Sequence, residues 1–222
     1  MAVSPIAFRI FHVKFILAAR MKRSHFRQRI VEYIRAEARP PDKFSHQARL
    51  YALARQIAGR RRYDDDVVFA AAWLHDLGVF VGHRPEDLKL LASWDNVAYA
   101  MAKAPAILQR LGFHSKKIAA VVEAIRTHQP AAKPTTFEGV VLRDADILEQ
   151  LGAVAVLRTV SKVGRDTRFV RFSDALAGLR RSVESLPGQL KLPAARRLAK
   201  PRVEALQRFL KSAEREAGGI DW

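Results

Sequence analysis

The chain has 222 residues, of which 49% are hydrophobic and 27% are charged, and its formal net charge is +17. This length and composition suit one well-cored domain with room for an appended segment, and they exclude a fibrous or low-complexity chain. Because the sequence contains no cysteine, disulfides and thiolate metal sites are excluded. The composition fits a reducing compartment, so we expect a cytoplasmic protein, and any transition metal would need His, Asp and Glu ligands.

The positive charge is concentrated at the two ends of the sequence. Residues 1–62 hold 15 Lys and Arg against 3 acids and residues 153–222 hold 15 against 7, whereas residues 63–152 hold 9 against 12. Basic flanks could steer an anionic substrate or contact nucleic acid. A solvated surface explains them equally well, so nucleic acid is compatible with the charge but is not favoured by it.

Residues 1–24 are interpreted as a basic N-terminal arm or as a mis-assigned start. The apolar stretch 6–20 is interrupted by Arg9, His12 and Lys14, which makes it too short and too charged to span a membrane. No acid precedes Glu32, as in organelle transit peptides. A true start at Met21 explains the pattern equally well, and no transmembrane segment is predicted.

From about residue 25 the apolar residues recur at helical spacing. A second helix is predicted to begin at Ser45 as N-cap, with His46 in its first turn, and to end at Gly59. Acidic residues 64–66 then start a strongly apolar helix that carries the pair His75-Asp76 and is predicted to end at Gly78.

Further helices are predicted along the rest of the chain. One surrounds Pro105, and another opens at Ser115 and closes at His128. Thr135 and Glu138 resemble a capping box that starts a long helix reaching residue 158. The tail is divided by prolines and ends in a basic amphipathic helix. No run of alternating β-branched residues occurs, so the predicted fold class is all-α.

Imidazoles and carboxylates interrupt the apolar faces of four of these predicted helices. A carboxylate at the end of so apolar a segment is costly to bury without a charged partner or a metal. The pattern therefore suggests a divalent cation in the helical core, with Mn, Fe, Co, Ni, Mg and Zn all compatible with such ligands. The residues concerned are His46, His75, Asp76, His128, Asp144 and Asp146.

The order His46, His75-Asp76, Asp146 resembles the H…HD…D motif of the HD-domain superfamily of metal-dependent phosphohydrolases. The surrounding words FSHQARLYALARQIA, AAAWLHDLG and VVLRDADILEQLGAVAVLR are also similar to the metal-bearing helices of that superfamily. The resemblance implies an HD-domain helical bundle over residues 25–160 with the metal in its core. Residues 161–222 would form a basic C-terminal helical extension packed on it.

The resemblance also implies a chemistry. His46, His75, Asp76 and Asp146 would coordinate the metal, and a metal-activated water would hydrolyse a small phosphorylated substrate, most plausibly a nucleotide. Asp76 would thus belong to the catalytic set as well. His128 matches a histidine that many members carry before the last metal helix, where it could bind a second metal or position the phosphate.

The inward carboxylate of the last metal helix is ambiguous. Periodicity places Asp144 on the face of Val141 and Leu148, which favours Asp144 as the buried carboxylate. The family pattern, an Ala-Asp step followed by an apolar residue, favours Asp146. We expect Asp146 to be the metal ligand and Asp144 to be a supporting member of the catalytic set, holding a histidine ligand or a basic residue in place.

Three further residues are weaker candidates for contact with the substrate phosphate. His83 and Arg84 follow the His-Asp pair closely, and Arg143 flanks the last metal helix. Each is also explained by ordinary solvation. Segments 79–95 and 159–175 are expected to determine which substrate is accepted.

The chain departs from some branches of the superfamily. The residues after the His-Asp pair, Leu77 to Phe80, lack the lysine that ppGpp hydrolases and cyclic-dinucleotide phosphodiesterases often carry nearby, and there is no GYP signature. Two alternatives remain open. One is a catalytically silent, metal-containing HD protein that binds nucleic acid or an acidic partner; the other is an HD-fold di-iron oxygenase, which needs more ligands than the sequence offers.

Overall fold

The computed structural model describes residues 25–166 and 168–218. Within these residues the chain is all-α: it forms ten α-helices and no β-strand. In chain order the helices are α1 (25–37), α2 (Asp42–Ala58), α3 (Asp65–Leu74), α4 (Leu88–Ala92), α5 (Asn96–Arg110), α6 (Ile118–Arg126), α7 (Phe137–Glu149), α8 (Ala153–Val160), α9 (Phe172–Ser185) and α10 (Pro193–Ala217).

Helices α2, α3, α6 and α7 form the centre of the bundle. Helix α3 packs against α2, α6 and α7, and α2 packs against α7. Every residue of α3 from Asp66 to Leu74 is buried, as expected for a helix that is surrounded on all sides. Helix α3 therefore stabilises the fold by burying apolar side chains around its whole circumference and not along one stripe only.

The start of α3 is fixed by capping and by ion pairs. Asp64 is the N-cap, and its side chain accepts hydrogen bonds from the backbone N–H groups of Asp66 and Val67, as the sequence predicts. The buried Asp66 carboxylate pairs with Arg27 at 2.6 Å and with Lys117 at 3.0 Å. These contacts join α1 and the start of α6 to the beginning of the central helix.

The remaining helices surround this centre. Helix α1 buries Phe26, Ile30 and Ile34, and α5 packs on α6 and on the 3-10 turn Leu77–Val79. Helix α9 packs on α8 and α10, and α10 in turn lies against α7 and α2. The C-terminal helices therefore cover the side of the bundle that α2 and α7 form.

Several predicted helix boundaries are wrong by up to one turn. Helix α2 begins at Asp42, with Pro41 at the N-cap, because a proline at a helix start gives up no helical hydrogen bond. Ser45 therefore lies inside the helix, where its hydroxyl accepts a hydrogen bond from Arg49. The N-cap of α7 is Thr136 and not Thr135, and its side chain accepts from the N–H of Gly139.

Two predictions about where helices are interrupted differ more substantially from the structure. The long helix predicted to continue to residue 158 is interrupted after Glu149, and Gly152 takes φ +84° between α7 and α8, a conformation that glycine adopts readily. Pro201 lies inside the continuous helix α10 instead of ending a helix. Burial of Ala199 and Leu206 on either side of it offsets the hydrogen bond that proline cannot make.

The expectations for the N-terminal arm concern residues 1–24, which lie outside the described residues. Among the helices that are described, none combines the length and the apolar character that crossing a bilayer requires.

Candidate metal centre

His46 enters the centre of the bundle from the second turn of α2. Its side chain is 3% exposed, and its Nδ1 lies 3.1 Å from Oε2 of Glu149. Because a carboxylate accepts, Nδ1 carries the proton and Nε2 is left with its lone pair. Nε2 is buried and has no hydrogen-bond partner among the described residues.

His75 and Asp76 follow directly after α3. Helix α3 ends at Leu74, with His75 as its C-cap, four residues before the predicted end at Gly78. Its Nδ1 lies 3.0 Å from the carbonyl oxygen of Ala72 and donates to it, while its buried Nε2 has no partner within the described part of the chain. The carboxylate of Asp76 lies 3.5 Å from this Nε2.

His128 lies two residues beyond the last residue of α6 and is buried. Its Nδ1 donates to the carbonyl oxygen of Ile125 at 2.6 Å. His128 therefore has the same tautomer as His46 and His75, with Nε2 available as an acceptor. The rings of His75 and His128 meet edge to face, with their centroids 4.9 Å apart.

These side chains converge on one point. Nε2 of His46 lies 3.5 Å from Oδ2 of Asp76 and 3.7 Å from Oδ1 of Asp146. Two overlapping groups, His46–His75–Asp146 and His75–Asp76–His128, each place one ligand atom per residue within 4.8 Å of the others. Donor atoms of different residues that share one ion at about 2.0–2.2 Å are separated by roughly 3–4 Å.

The two unpartnered Nε2 atoms test whether a cation fits here. A buried imidazole nitrogen without a partner costs free energy unless something accepts its lone pair. Two such nitrogens directed at the same pair of carboxylates match the donor set of a borderline divalent cation. The arrangement therefore fits a divalent metal site, as the sequence predicts.

The ionisation of the cluster favours the same state. Burial lowers the pKa of His46 and of His128, which keeps both imidazoles neutral near pH 7. Burial acts to raise the pKa of Asp76, but the neighbouring imidazoles, first His75 and then His46, lower it well below its usual range. His46 and His128 in the neutral form and Asp76 in the ionised form are the states that bind metals.

The structure places Asp146, and not Asp144, beside the histidines. Asp144 is fully buried on the other face of α7, where it accepts hydrogen bonds from the backbone N–H groups of Lys191 and Leu192 at the start of α10. It also lies 3.5 Å from Arg143. Asp144 thus contacts a neighbouring arginine and does not join the metal-binding cluster.

Two of the three predicted phosphate contacts are turned away from the cluster. His83 lies 2.8 Å from Glu37 and 3.3 Å from the hydroxyl of Tyr99, which ties its loop to α1 and α5. Arg143 is buried and donates to the carbonyl oxygens of Pro130 and Gln189. Neither residue lines the cavity that opens at the metal cluster.

Asp76, His128 and Asp146 lie at the base of this cavity, which has a volume of about 540 Å³. Residues between 79 and 94 and between 159 and 169 supply part of its wall; that segments 79–95 and 159–175 determine the substrate remains a prediction. Five cationic side chains contribute to the lining: Lys43, Arg84, Arg158, Lys162 and Arg168.

The cations of the cavity differ in how they are paired. Arg168 pairs with Asp166 at 2.8 Å, and Arg158 contacts Glu149. Within residues 25–166 and 168–218, the other three form no ion pair; they are Lys43, Arg84 and Lys162. The cavity therefore places cations without a direct ion-pair partner next to the candidate metal ligands, where they can attract an anionic ligand.

Lys162 lies close to the other positive charges of the cavity. Burial, together with the nearby positive charges of Lys43, Arg158 and Arg168, lowers its pKa to about 8, against the opposing effect of Asp166. A cation held among cations in this way is stabilised when an anion enters.

Two functional candidates were missed in the sequence. Lys162 lies in a segment with no periodic signal. Glu149 lies three residues after Asp146, one helical turn away, and its spacing to Asp146 is the signal that could have identified it. Glu149 is 2% exposed and contacts His46, Arg49 and Arg158. Burial acts to raise the pKa of Glu149. Its partners outweigh this effect and lower the pKa to about 2, and the hydrogen bond with His46 is the largest of their contributions.

Comparison with known proteins identifies the fold. Residues 44–151 match the model of the HD domain family, a range that contains every candidate metal ligand. A search of curated proteins found no match to the chain.

Solved structures of HD-superfamily proteins are similar over most of the chain. The predicted HD superfamily hydrolase from an uncultured Thermotogales bacterium is 25% identical, with a TM-score of 0.58, covering 85% of this chain and 91% of that one. Bacillus subtilis YpgQ, solved with ADP, is 22% identical with a TM-score of 0.65, covering 88% and 100%. An HD-superfamily hydrolase from Bacillus thuringiensis is 19% identical with a TM-score of 0.63, covering 90% and 100%.

Together with the order and convergence of the histidines and aspartates, these matches show that residues 44–151 form an HD domain.

Proposed function

We propose that the protein is a metal-dependent phosphohydrolase that acts on a small phosphorylated substrate, most plausibly a nucleotide. The observation that carries the proposal is the juxtaposition, in one cavity, of the metal-binding cluster with three cations that form no ion pair among the described residues, Lys43, Arg84 and Lys162. The first feature suits a Lewis acid and the second suits a phosphate group.

The proposed ligands are His46, His75, Asp76 and Asp146. A divalent cation held by them supplies Lewis-acid chemistry, since it makes water more nucleophilic and withdraws charge from a phosphoryl group. His75 belongs to both overlapping ligand groups, and His128 belongs to the second. We therefore propose that His128 either completes a second metal position or directs its Nε2 at the phosphate.

Side chains of the cavity bind the substrate and stabilise its negative charge. Lys43 and Lys162 neutralise the phosphate that lies against the cluster, and Arg84 reaches the cavity from the loop that follows the His-Asp pair. Fixed positive charges that face developing negative charge stabilise the transition state of phosphoryl transfer. Trp94 and Phe169 lie in the same wall and provide aromatic surface for the non-phosphate part of the substrate.

A nucleotide is supported by the size of the cavity, which at about 540 Å³ lies within the range typical of small-molecule sites. The similar fold of YpgQ, which was solved with ADP, adds support for this ligand class. The cysteine-free sequence fits a cytoplasmic location, which belongs to the same proposal.

The test is a screen of nucleoside mono-, di- and triphosphates and of sugar phosphates against the purified protein, with Mn, Co, Ni, Mg and Zn supplied in turn. We expect metal-dependent phosphate or pyrophosphate release that Asp76→Asn abolishes. Salt-dependent binding of DNA or RNA without any hydrolysis would instead favour a silent binding protein, and oxygen consumption by an iron-loaded form would favour the di-iron oxygenase.

A further inference from the structure

Glu149 is the most densely contacted carboxylate near the metal-binding cluster, although it belongs to neither group of candidate ligands. Its Oε2 lies 3.1 Å from Nδ1 of His46, 3.1 Å from Nε of Arg49 and 3.4 Å from an Nη atom of Arg158. The residue ends α7, whereas these three partners belong to α2 and α8. One buried carboxylate thus joins a candidate metal ligand to a cation of the cavity.

We propose that Glu149 is a positioning residue that holds the His46 tautomer presenting Nε2 to the metal and, through the same carboxylate, aims Arg158 at the anion in the cavity. The inference deepens the proposed function and rests on it. It assigns a role to a residue that lines the cavity but belongs to neither group of candidate metal ligands.

The first half of the inference follows from the direction of one hydrogen bond. Since a carboxylate can only accept, the proton between Glu149 and His46 belongs to Nδ1. Nε2 of His46 then keeps its lone pair on the side of Asp76 and Asp146, at 3.5 Å and 3.7 Å. A carboxylate behind a ligating imidazole fixes its tautomer and orientation and increases its basicity.

The second half follows from the hydrogen bonds that the guanidinium of Arg158 makes. One of its Nη atoms donates to the backbone carbonyl oxygen of Glu149 at 3.2 Å and lies 3.4 Å from the carboxylate. The other guanidinium nitrogens make no hydrogen bond with the described residues, and Arg158 lines the cavity. A guanidinium anchored on one edge presents its other edge to an anion in a fixed geometry.

A purely structural role is the competing explanation. Arg49 also pairs with Glu149 at 3.1 Å, so the carboxylate could serve only to connect α2, α7 and α8. That role would change stability without changing the tautomer of His46 or the affinity for metal, so the two explanations predict different measurements.

The experiment uses the full-length, metal-free protein with Mn²⁺ as the metal probe. Glu149→Gln retains the size of the side chain, but an amide cannot accept from His46 and from both arginines, so donors would face donors. We expect the Kd for Mn²⁺, measured by isothermal titration calorimetry, to rise about 10- to 100-fold. The matched control is Glu138→Gln on the same helix, which weakens only the acceptor for the backbone N–H of Asp64 and should leave the Kd within about threefold.

The second measurement tests the inference on the wild-type protein and compares it with the variant. Nitrogen-15 NMR of the wild-type metal-free protein should show His46 protonated at Nδ1, and Glu149→Gln should shift the population toward the Nε2-protonated form. A wild-type His46 that carries its proton on Nε2 would overturn the inference, even if the variant does not fold. An unchanged Kd in a folded Glu149→Gln protein would overturn it as well.

The outcomes separate this inference from the proposed function. An Nδ1-protonated His46 and a weakened Kd in a protein that hydrolyses no phosphate ester would leave the role of Glu149 intact and reject the hydrolase. Hydrolysis by Glu149→Gln with wild-type Mn²⁺ affinity would do the reverse.

Discussion

Replacing Asp144 with alanine tests whether this carboxylate serves stability or the metal centre. Its side chain is fully buried and accepts the N–H groups of Lys191 and Leu192 at distances of 3.0 and 2.7 Å. Leaving a buried donor unsatisfied costs about 1–3 kcal/mol. The alanine variant should therefore lose roughly 2–5 kcal/mol of free energy of unfolding, because two donors lose their acceptor at once.

For a domain of this size, each kcal/mol lowers Tm by about 2–4 °C, so a decrease of roughly 5–20 °C is expected in a thermal melt followed by circular dichroism. Asp174→Ala is the matched control, since Asp174 also accepts two backbone N–H groups at a helix start, those of Val170 and Arg171, but at an exposed position. Its cost should be nearer 1 kcal/mol. The affinity of Asp144→Ala for Mn²⁺ should stay within about threefold of wild type. A variant that melts normally but no longer binds metal would refute this reasoning.

Three further predictions concern packing and pH. A Cβ at Gly78 would lie 2.5 Å from the carbonyl oxygen of Asn96, so Gly78→Ala should destabilise the protein by about 1–3 kcal/mol or more in urea unfolding. The affinity for inorganic phosphate should fall as pH rises through about 8, because Lys162 loses its charge there; calorimetry between pH 7.5 and 9.5 measures this. In the metal-free protein, burial lowers the pKa of His46 and of His128 below the value in the unfolded chain. The unfolded state therefore binds more protons, and Tm should decrease as pH falls below about 6.5.

A specific result would contradict each of these three predictions. Full stability of Gly78→Ala would mean that α5 starts farther from the His-Asp turn than the contact implies. Lys162→Arg keeps its charge and should abolish the pH dependence, so an arginine variant with the wild-type profile would assign the titration to another group. A flat Tm between pH 7 and 5.5 would show that the buried imidazoles are already protonated.

The sequence predicts the fold well where one physical signal dominates. The continuous apolar run of α3, the aspartates before it and the absence of strand-like alternation define a buried, N-capped helix and an all-α chain, and the structure agrees. Boundaries were less predictable. Pro41 and Thr136, rather than Ser45 and Thr135, start their helices, because neighbouring residues offer nearly equal caps and tertiary packing selects between them.

The site was predictable to the extent that chemistry is visible along the chain. His46, His75, Asp76 and Asp146 stand out because imidazoles and carboxylates are rare among apolar neighbours. Periodicity identifies Asp144 as the more deeply buried carboxylate but does not identify the one beside the histidines, because both faces of α7 are buried, one against the metal-binding cluster and the other against α10.

Residues whose importance arises mainly from contacts distant in the chain stand out less, even where, as for Glu149, the helical spacing to Asp146 offered a signal. Glu149 meets a histidine 103 positions away, and Lys162 lies in a segment without periodicity. Conversely, His83 has the right residue type beside the motif, but it is held by Glu37 on α1. Only the tertiary structure separates these cases.

The central claim is that His46, His75, Asp76 and Asp146 hold a divalent cation. The most direct measurement is the metal content of the purified protein by mass spectrometry, together with that of a folded Asp76→Asn variant. We expect about one or two equivalents of a divalent metal in the wild type and a large loss in the variant, because Asp76 faces both His46 and His75. A wild-type protein that binds no divalent metal when reconstituted, or a variant that keeps the full content, would contradict it.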